Sequence, residues 1–504
     1  MRPVLDVAAM READLAAQET TPVAVLMERA GTFLARGVLR TLGGAYGRRV
    51  TVVAGKGNNG GDGRVAAGKL ALAGVRVRVV DATAAAGELA SAVTGADAVV
   101  DAAYGTGFRG SYDAPPVPQG CAVIACDIPS GVDGDTGAAS GLPMRADRTV
   151  TFAALKPGLL LGDGPALAGR VTVADIGVDV GFADPAAADP AAGRAAAGSF
   201  PAERTEVPAR GRPRHPVAIG LVEDADVDSL VPARGRDTHK WRAAVTVVAG
   251  SPGMTGAAGL CARAALRTGS GMVRLAVPAP AAVLASIDAG DAVVVALPAQ
   301  DWAQPACVAA ERSRVLVAGP GLGRTPETVA SVRRLVATCR LPLVLDADAV
   351  VALGGIADAE ELLAARRATT AEPVVLTPHE GELASLAGAA PSPDRIAWVR
   401  SVATRLGAVV LLKGPTTVVA DPGGDVRLAD AGDARLATPG TGDVLAGMVA
   451  ALVARGVARP LDAAALAAHA HGRAGGLGCA EGLVAGDLPD LVARWLTARR
   501  DACR

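Results

Sequence analysis

Short runs of apolar, largely β-branched residues recur along the chain with stretches of helical length between them. Because they do not alternate with polar residues, they predict strands buried on both faces, as in parallel sheets covered by helices. In the first part of the chain these runs fall at 49–54, 75–80, 98–101 and 122–127. They return at 244–249, 273–277, 292–297, 315–318, 343–346, 374–377 and 409–413. Between the two series, 183–216 is rich in Ala, Pro, Gly and Arg and has little apolar periodicity, so it reads as a linker or flexible flap. The pattern predicts two α/β domains, 1–222 and 223–504. Glycines and acids concentrate just after the predicted strands, where open α/β sheets bind ligands.

Composition narrows the class. Half of the 504 residues are hydrophobic and the formal net charge is −1. Neither a nucleic-acid partner nor an anionic membrane surface is expected from that balance. No apolar run reaches the roughly 18–20 residues of a membrane span. The seven cysteines (121, 126, 261, 307, 339, 479 and 503) are scattered without a CxxC pair. They read as buried reduced thiols in a cytoplasmic protein.

The first concentrated motif is Gly55-Lys56-Gly57-Asn58-Asn59-Gly60-Gly61-Asp62-Gly63, between a strand and a helical stretch. Gly55, Gly57 and Gly60 satisfy the dinucleotide pattern GxGxxG, and Asp81 closes the next strand at the expected spacing. Asn58, Asn59 and Asp62 argue against that reading, because they put oxygen ligands where a pyrophosphate turn is bare. Asp101 and Asp127-Ile128-Pro129-Ser130 bring more oxygens to the same sheet edge. Amide, carboxylate and hydroxyl donors without His or Cys suit a hard, weakly charged cation. The alternative is that Asn58 and Asn59 supply turn conformations and Asp127 caps a helix.

These motifs, with Gly105-Thr106-Gly107-Phe108-Arg109-Gly110 and Leu155-Lys156-Pro157-Gly158, resemble the NAD(P)H-hydrate epimerases over about residues 4–180. The resemblance implies a Rossmann-like three-layer αβα domain that interconverts the R and S hydrates of NADH and NADPH. It further implies potassium held by Asn59, Asp101 and Ser130. The hydrate would then contact Asn58, Asn59, Gly60, Gly61, Asp62, Asp127 and the stretch Gly105, Thr106, Gly107, Phe108, Arg109, Gly110, Ser111. Asp127 is the candidate for proton transfer, since epimerising a hemiaminal-like carbon requires hydroxyl loss and re-addition. Lys156 either offsets phosphate charge or is a surface lysine.

The second concentrated motif is Thr438-Pro439-Gly440-Thr441-Gly442-Asp443 followed by an apolar run. Glycines let backbone N–H groups converge on an anion at a helix N-terminus, and Asp443 falls in the first turn, where it can take a proton during phosphoryl transfer. Upstream, a strand ends in Lys413-Gly414-Pro415-Thr416-Thr417, a suitable edge for nucleotide phosphates and ribose. Strand, nucleotide loop and anion-hole helix together resemble ribokinase-like αβα proteins. With Gly250–Ala258, Gly319-Pro320-Gly321-Leu322-Gly323, Asp346-Ala347-Asp348 and Thr377-Pro378-His379-Glu380, they resemble the NAD(P)H-hydrate dehydratases over about residues 223–498.

That resemblance implies nucleotide-driven phosphorylation of the hydrate's hydroxyl and loss of phosphate, with ADP the donor in bacterial members. ADP would lie on Lys413, Gly414, Pro415, Thr416, Thr417, Gly440, Thr441 and Gly442. The S hydrate would lie on Ala257, Gly321, Gly323, His379 and Asp443, with Asp443 the base. Asp346 and Asp348 either position magnesium or end a strand. Trp241 after His239-Lys240, and Val351 after the Asp-Ala-Asp turn, depart from the family pattern. The expectation is a bifunctional, homo-oligomeric repair enzyme acting on NADHX and NADPHX. The alternative is a ribokinase-like small-molecule kinase fused to a dinucleotide-sensing domain.

Overall fold

The computed structural model describes residues 1–180, 219–279, 281–283, 285 and 290–502. The predicted linker, 183–216, lies outside the described residues. The chain folds as two compact units, residues 2–218 and 219–504.

The first unit holds six parallel strands: β1 (Arg49–Ala54), β2 (Arg76–Asp81), β3 (Ala98–Ala102), β4 (Ala122–Cys126), β5 (Arg148–Phe152) and β6 (Arg170–Ala174). Their order across the sheet is β2-β1-β3-β4-β5-β6. Order reverses between β1 and β3, so the chains leaving these two strands diverge and open a crevice there. Helices α1 (Val7–Gln18), α2 (Val23–Leu42) and α3 (Asn58–Leu72) share a core with one face of the sheet, and the helix Ala86–Val93 packs with Val53, Val99 and Val123 on the other. Small residues set the α2–α3 spacing: a Cβ on Gly31 would sit 2.5 Å from Val65 Cγ1. The unit is a three-layer, Rossmann-like α/β domain.

The second unit has strands β7 (Ile219–Leu221), β8 (Ala244–Val248), β9 (Met272–Pro278), β10 (Val293–Leu297), β11 (Val315–Ala318), β12 (Leu343–Leu345), β13 (Val374–Leu376), β14 (Val409–Leu412), β15 (Thr417–Ala420) and β16 (Val426–Ala429). Their order is β7-β16-β15-β14-β13-β12-β11-β8-β9-β10. The run from β14 to β10 is parallel, and β15 is antiparallel to both neighbours. Here order reverses between β8 and β11, and the glycine loops after those strands interlock through Gly250 N–H to Pro320 O at 2.9 Å.

Helices α4 (Thr255–Arg267), α5 (Thr441–Ala454) and α6 (Pro460–Gly475) pack together in this unit. From Val444 to Leu452 every residue of α5 is buried, because the helix is apolar all round. A Cβ on Gly447 would lie 2.2 Å from Cys261 O, so α5 and α4 meet nearly backbone to backbone. Among the described cysteines Cys126, Cys261 and Cys339 are buried, whereas Cys479 is exposed, a departure from the expectation of buried thiols throughout. Cys503 lies outside the described residues.

Candidate functional site

In the first unit the crevice between β1 and β3 forms a cavity of about 640 Å3. Asn58, Asn59, Asp62, Gly105, Thr106, Gly107, Phe108, Arg109 and Asp127 line it, together with Asp14 of α1 and Lys156. Gly60, Gly61, Gly110 and Ser111 do not line it. Gly60 instead allows close packing: a Cβ there would lie 1.9 Å from Gly55 O, and one on Gly55 would lie 1.9 Å from Ala103 O. Gly55 and Gly60 therefore dock α3 and the β1 loop against the β3 loop.

Lys156 is not at the surface. It is 1% exposed, and its ammonium donates to Asp127 Oδ1 at 2.6 Å, Thr151 Oγ1 at 2.8 Å and Phe152 O at 2.9 Å. Asp127 also accepts from Thr151 Oγ1 at 2.9 Å, and its backbone is left-handed with φ 65°. A non-glycine residue stays in that region only where neighbours hold it. Asp62 faces the same cavity: burial, then the nearby Asp127 and Asp14 carboxylates, push its pKa up to about 8.

Asn59, Asp101 and Ser130 meet behind the Gly105 loop. Asp101 is fully buried and accepts from Ser130 Oγ at 2.6 Å and Ser130 N–H at 2.8 Å. Asn59 Nδ2 donates to Tyr104 O at 2.9 Å, and Ser130 Oγ bonds both Tyr104 N–H and O. No Lys or Arg pairs with Asp101 among the described residues. A buried carboxylate ringed by neutral oxygens is a donor set that fits a potassium ion, which would supply the missing charge.

In the second unit Asp443 occupies the first turn of α5, behind Gly440 with φ 92°. Burial raises its pKa to about 7; Asp346, Asp348 and Glu382 add to the rise and Lys413 opposes it. Lys413 Nζ lies 2.5 Å from Asp346 Oδ1, which also accepts from Thr377 Oγ1 at 2.8 Å. A Cβ on Gly442 would stand 3.0 Å from that ammonium, so the bare helix end and the lysine face one point. Lys413, Gly414, Pro415, Thr417, Thr441 and Gly442 line a cavity of about 500 Å3; Thr416 is buried beside them, and Gly440 is off the wall.

The remaining residues are split. Ala257, Gly321 and Gly323 come together where the β8 and β11 loops interlock: a Cβ on Gly321 would lie 3.1 Å from Ala257 Cβ, and Ser251 Oγ bonds Gly321 O at 2.8 Å. His379 caps the helix Glu380–Ala387, accepting from Glu382 N–H at 3.2 Å, and leaves most of its ring exposed. Asp348 accepts from Gly323 N–H at 2.9 Å and Arg324 Nε at 2.7 Å. With Asp346 and Asp348 so engaged, the described residues hold no group of three His, Cys, Asp or Glu placed to bind a metal. Trp241 stacks under Arg312, 4.1 Å from its ring centroid, and Val351 lies in the short helix Asp348–Ala352.

Sequence reasoning gave no site role to Asp14, Glu382 or His471. Asp14 lines the first cavity from α1, outside the glycine motifs, and its acidity was the available signal. His471 lines the second cavity and carried no motif.

The family model described as NAD(P)H-hydrate dehydratase matches residues 245–497. The model described as YjeF-related protein N-terminus matches 23–93 and 81–158. A bifunctional NAD(P)H-hydrate repair enzyme of Salinibacter ruber is 37% identical, with 98% of this chain and 96% of that protein covered. One of Mycobacterium tuberculosis is 38% identical, covering 91% and 90%. Among solved structures, an ADP/ATP-dependent NAD(P)H-hydrate dehydratase from Bacillus subtilis, co-crystallised with ATP and Mg2+, is 27% identical over 56% of this chain and 98% of its own, with a TM-score of 0.47.

Proposed function

This chain belongs to the bifunctional NAD(P)H-hydrate repair enzymes, an epimerase joined to a nucleotide-dependent dehydratase, and from that premise we propose which residues perform each step. The epimerase is assigned to the 1–222 domain and the dehydratase to 223–504.

The single observation that carries the dehydratase assignment is Asp443, a carboxylate with its pKa near 7 in the first turn of a helix whose glycine end faces Lys413. Asp443 takes the proton of the S hydrate's hydroxyl as that oxygen attacks the terminal phosphorus of ADP and the bond to AMP breaks. The Gly440–Gly442 amides and Lys413 hold the transferring phosphoryl group. Phosphate then leaves with the C–O electron pair, the ring nitrogen lone pair assisting, and loss of the neighbouring C–H proton restores the dihydronicotinamide. The products are NAD(P)H, AMP, phosphate and a proton. Magnesium travels with the nucleotide phosphates, whose charge it offsets.

In the epimerase cavity Asp127 and Asp62 divide the proton work. Lys156 pairs with Asp127 and holds it in place, and Asp62 keeps its proton at neutral pH. Asp62 donates to the departing hydroxyl, leaving a planar iminium carbon. Water adds from the opposite face as Asp127 takes its proton. Potassium on Asn59, Asp101 and Ser130 would hold the Gly105 loop in place. We assign the protein to the cytoplasm, where scattered cysteines stay reduced.

The test is recovery of reduced-nicotinamide absorbance from an R/S mixture of NADPH hydrate with ADP and magnesium. Full recovery is expected. Asp443→Asn should abolish it by about 10²- to 10⁴-fold, the usual share of a general base, with epimerisation intact. A stable phosphorylated alcohol as the end product would instead support the kinase reading.

A further inference from the structure

His471, on the buried face of α6, is 7% exposed. It forms part of the wall of the roughly 500 Å3 cavity that holds Lys413 and Gly442. One ring nitrogen bonds the Thr441 backbone. The other, Nε2, is buried without a hydrogen-bond partner. With Nδ1 carrying the hydrogen, Nε2 presents a lone pair. Burial, and then the nearby Lys413 charge, drive the ring pKa down to about 4, against the Thr441 bond, so the ring is neutral. A buried acceptor left unpaired costs free energy that a ligand's donor recovers.

Position selects the donor. Lys413 and Gly442 form the anion end of the cavity, with a would-be Gly442 Cβ only 3.0 Å from the ammonium. Leu436, packed against Gly432 and Gly475, forms the apolar end. His471 is tied to Thr441 at the first end and is followed by Gly472, which abuts Gly432 at the second. In a nucleoside diphosphate the group between the phosphates and the base is the ribose.

We propose that His471 Nε2 accepts a hydrogen bond from a ribose hydroxyl of the nucleotide, making His471 a residue that selects ribonucleotides over deoxyribonucleotides. The inference rests on the assignment of this cavity to ADP. It differs from the anion-hole reading in needing a neutral acceptor rather than a cation.

The experiment is calorimetric binding of ADP, 2′-deoxy-ADP, 3′-deoxy-ADP and inosine diphosphate to the full chain. It is repeated with His471→Asn, whose amide keeps a donor near Thr441 but cannot reach the Nε2 position. The wild type should bind one deoxy analogue about tenfold more weakly than ADP, the scale of one buried hydrogen bond. In His471→Asn that ratio should fall to near one. Equal binding of ADP and both deoxy analogues by the wild type overturns the proposal without any variant. An unchanged ratio in His471→Asn overturns it as well. Discrimination against inosine diphosphate that vanishes in the variant would mean the ring reads the base, again overturning the ribose assignment. Failure of ADP itself to bind would instead overturn the nucleotide reading of the cavity.

Discussion

Lys156 Nζ lies 2.6 Å from Asp127 Oδ1, with 2% of the lysine side chain and 16% of the aspartate exposed. The second unit contains the reverse arrangement: Lys413 is 21% exposed and Asp346 1%. In the epimerase cavity the lysine is hidden and its carboxylate faces substrate. In the dehydratase cavity the carboxylate is hidden and the lysine faces phosphate. Each pair gives up one partner to the core so that the other is fixed in place.

Removing the hidden partner should therefore unfold as well as inactivate. Lys156→Met leaves Asp127 largely buried and uncompensated, which by analogy with broken buried pairs costs about 3–5 kcal/mol. Chemical denaturation should show that loss, and adding Asp127→Asn should restore much of it. A Lys156→Met variant as stable as the wild type would mean the ion pair is not structural.

The dehydratase should respond to pH through Asp443. Its carboxyl must be ionised to accept a proton, and its pKa is raised to about 7. kcat/KM should thus fall about tenfold per pH unit below 7 and level off above it. Because Lys413 holds that pKa down, Lys413→Met should move the rise to higher pH as well as weaken nucleotide binding. A profile flat between pH 5 and 9 would remove Asp443 from the role of base.

Much of this was legible before any coordinates. Strands such as β1 and β11 announced themselves because burial on both faces demands continuous apolar runs, and the glycine loops followed them. β15 and β16 were missed because their Thr, Arg and Asp neighbours break the run, although Arg427 is buried beside Asp462. The motif residues Asn59, Asp101 and Ser130 meet in space through their bonds to one another and to Tyr104. Lys156 was ambiguous because a lysine's burial depends on a partner far along the chain, here Asp127. His471 was invisible for the same reason: its partner Thr441 lies on a different helix.

The oxygen cluster predicts a monovalent-cation requirement. Asp101 is wholly buried, and its hydrogen bonds come from Ser130 and Ala103, none of them charged. Epimerisation rates measured in potassium should exceed those in tetramethylammonium salts, and Asp101→Asn should lose both the rate and the dependence. Equal rates in the two salts would make the cluster a structural knot only.

Asp62 gives the epimerase a pH dependence opposite to that of the dehydratase. Its folded pKa of about 8 lies above the ordinary value of 3.8, first through burial and then through Asp127 and Asp14. The protonated form is the one that donates, so epimerisation should hold steady below pH 8 and decline above it. Asp14 and Asp127 face Asp62 across the cavity and Lys156 backs Asp127, so Asp14→Asn should lower the pKa and move the decline to lower pH. Asp62→Asn keeps the shape and removes the proton; exchange between R and S hydrates, followed chromatographically without nucleotide, should drop about 10²-fold or more. The dehydratase, in its own unit, should be untouched by that change. If Asp62→Asn epimerises at the wild-type rate, the departing hydroxyl takes its proton from elsewhere, and Asp127 alone must serve both faces of the ring.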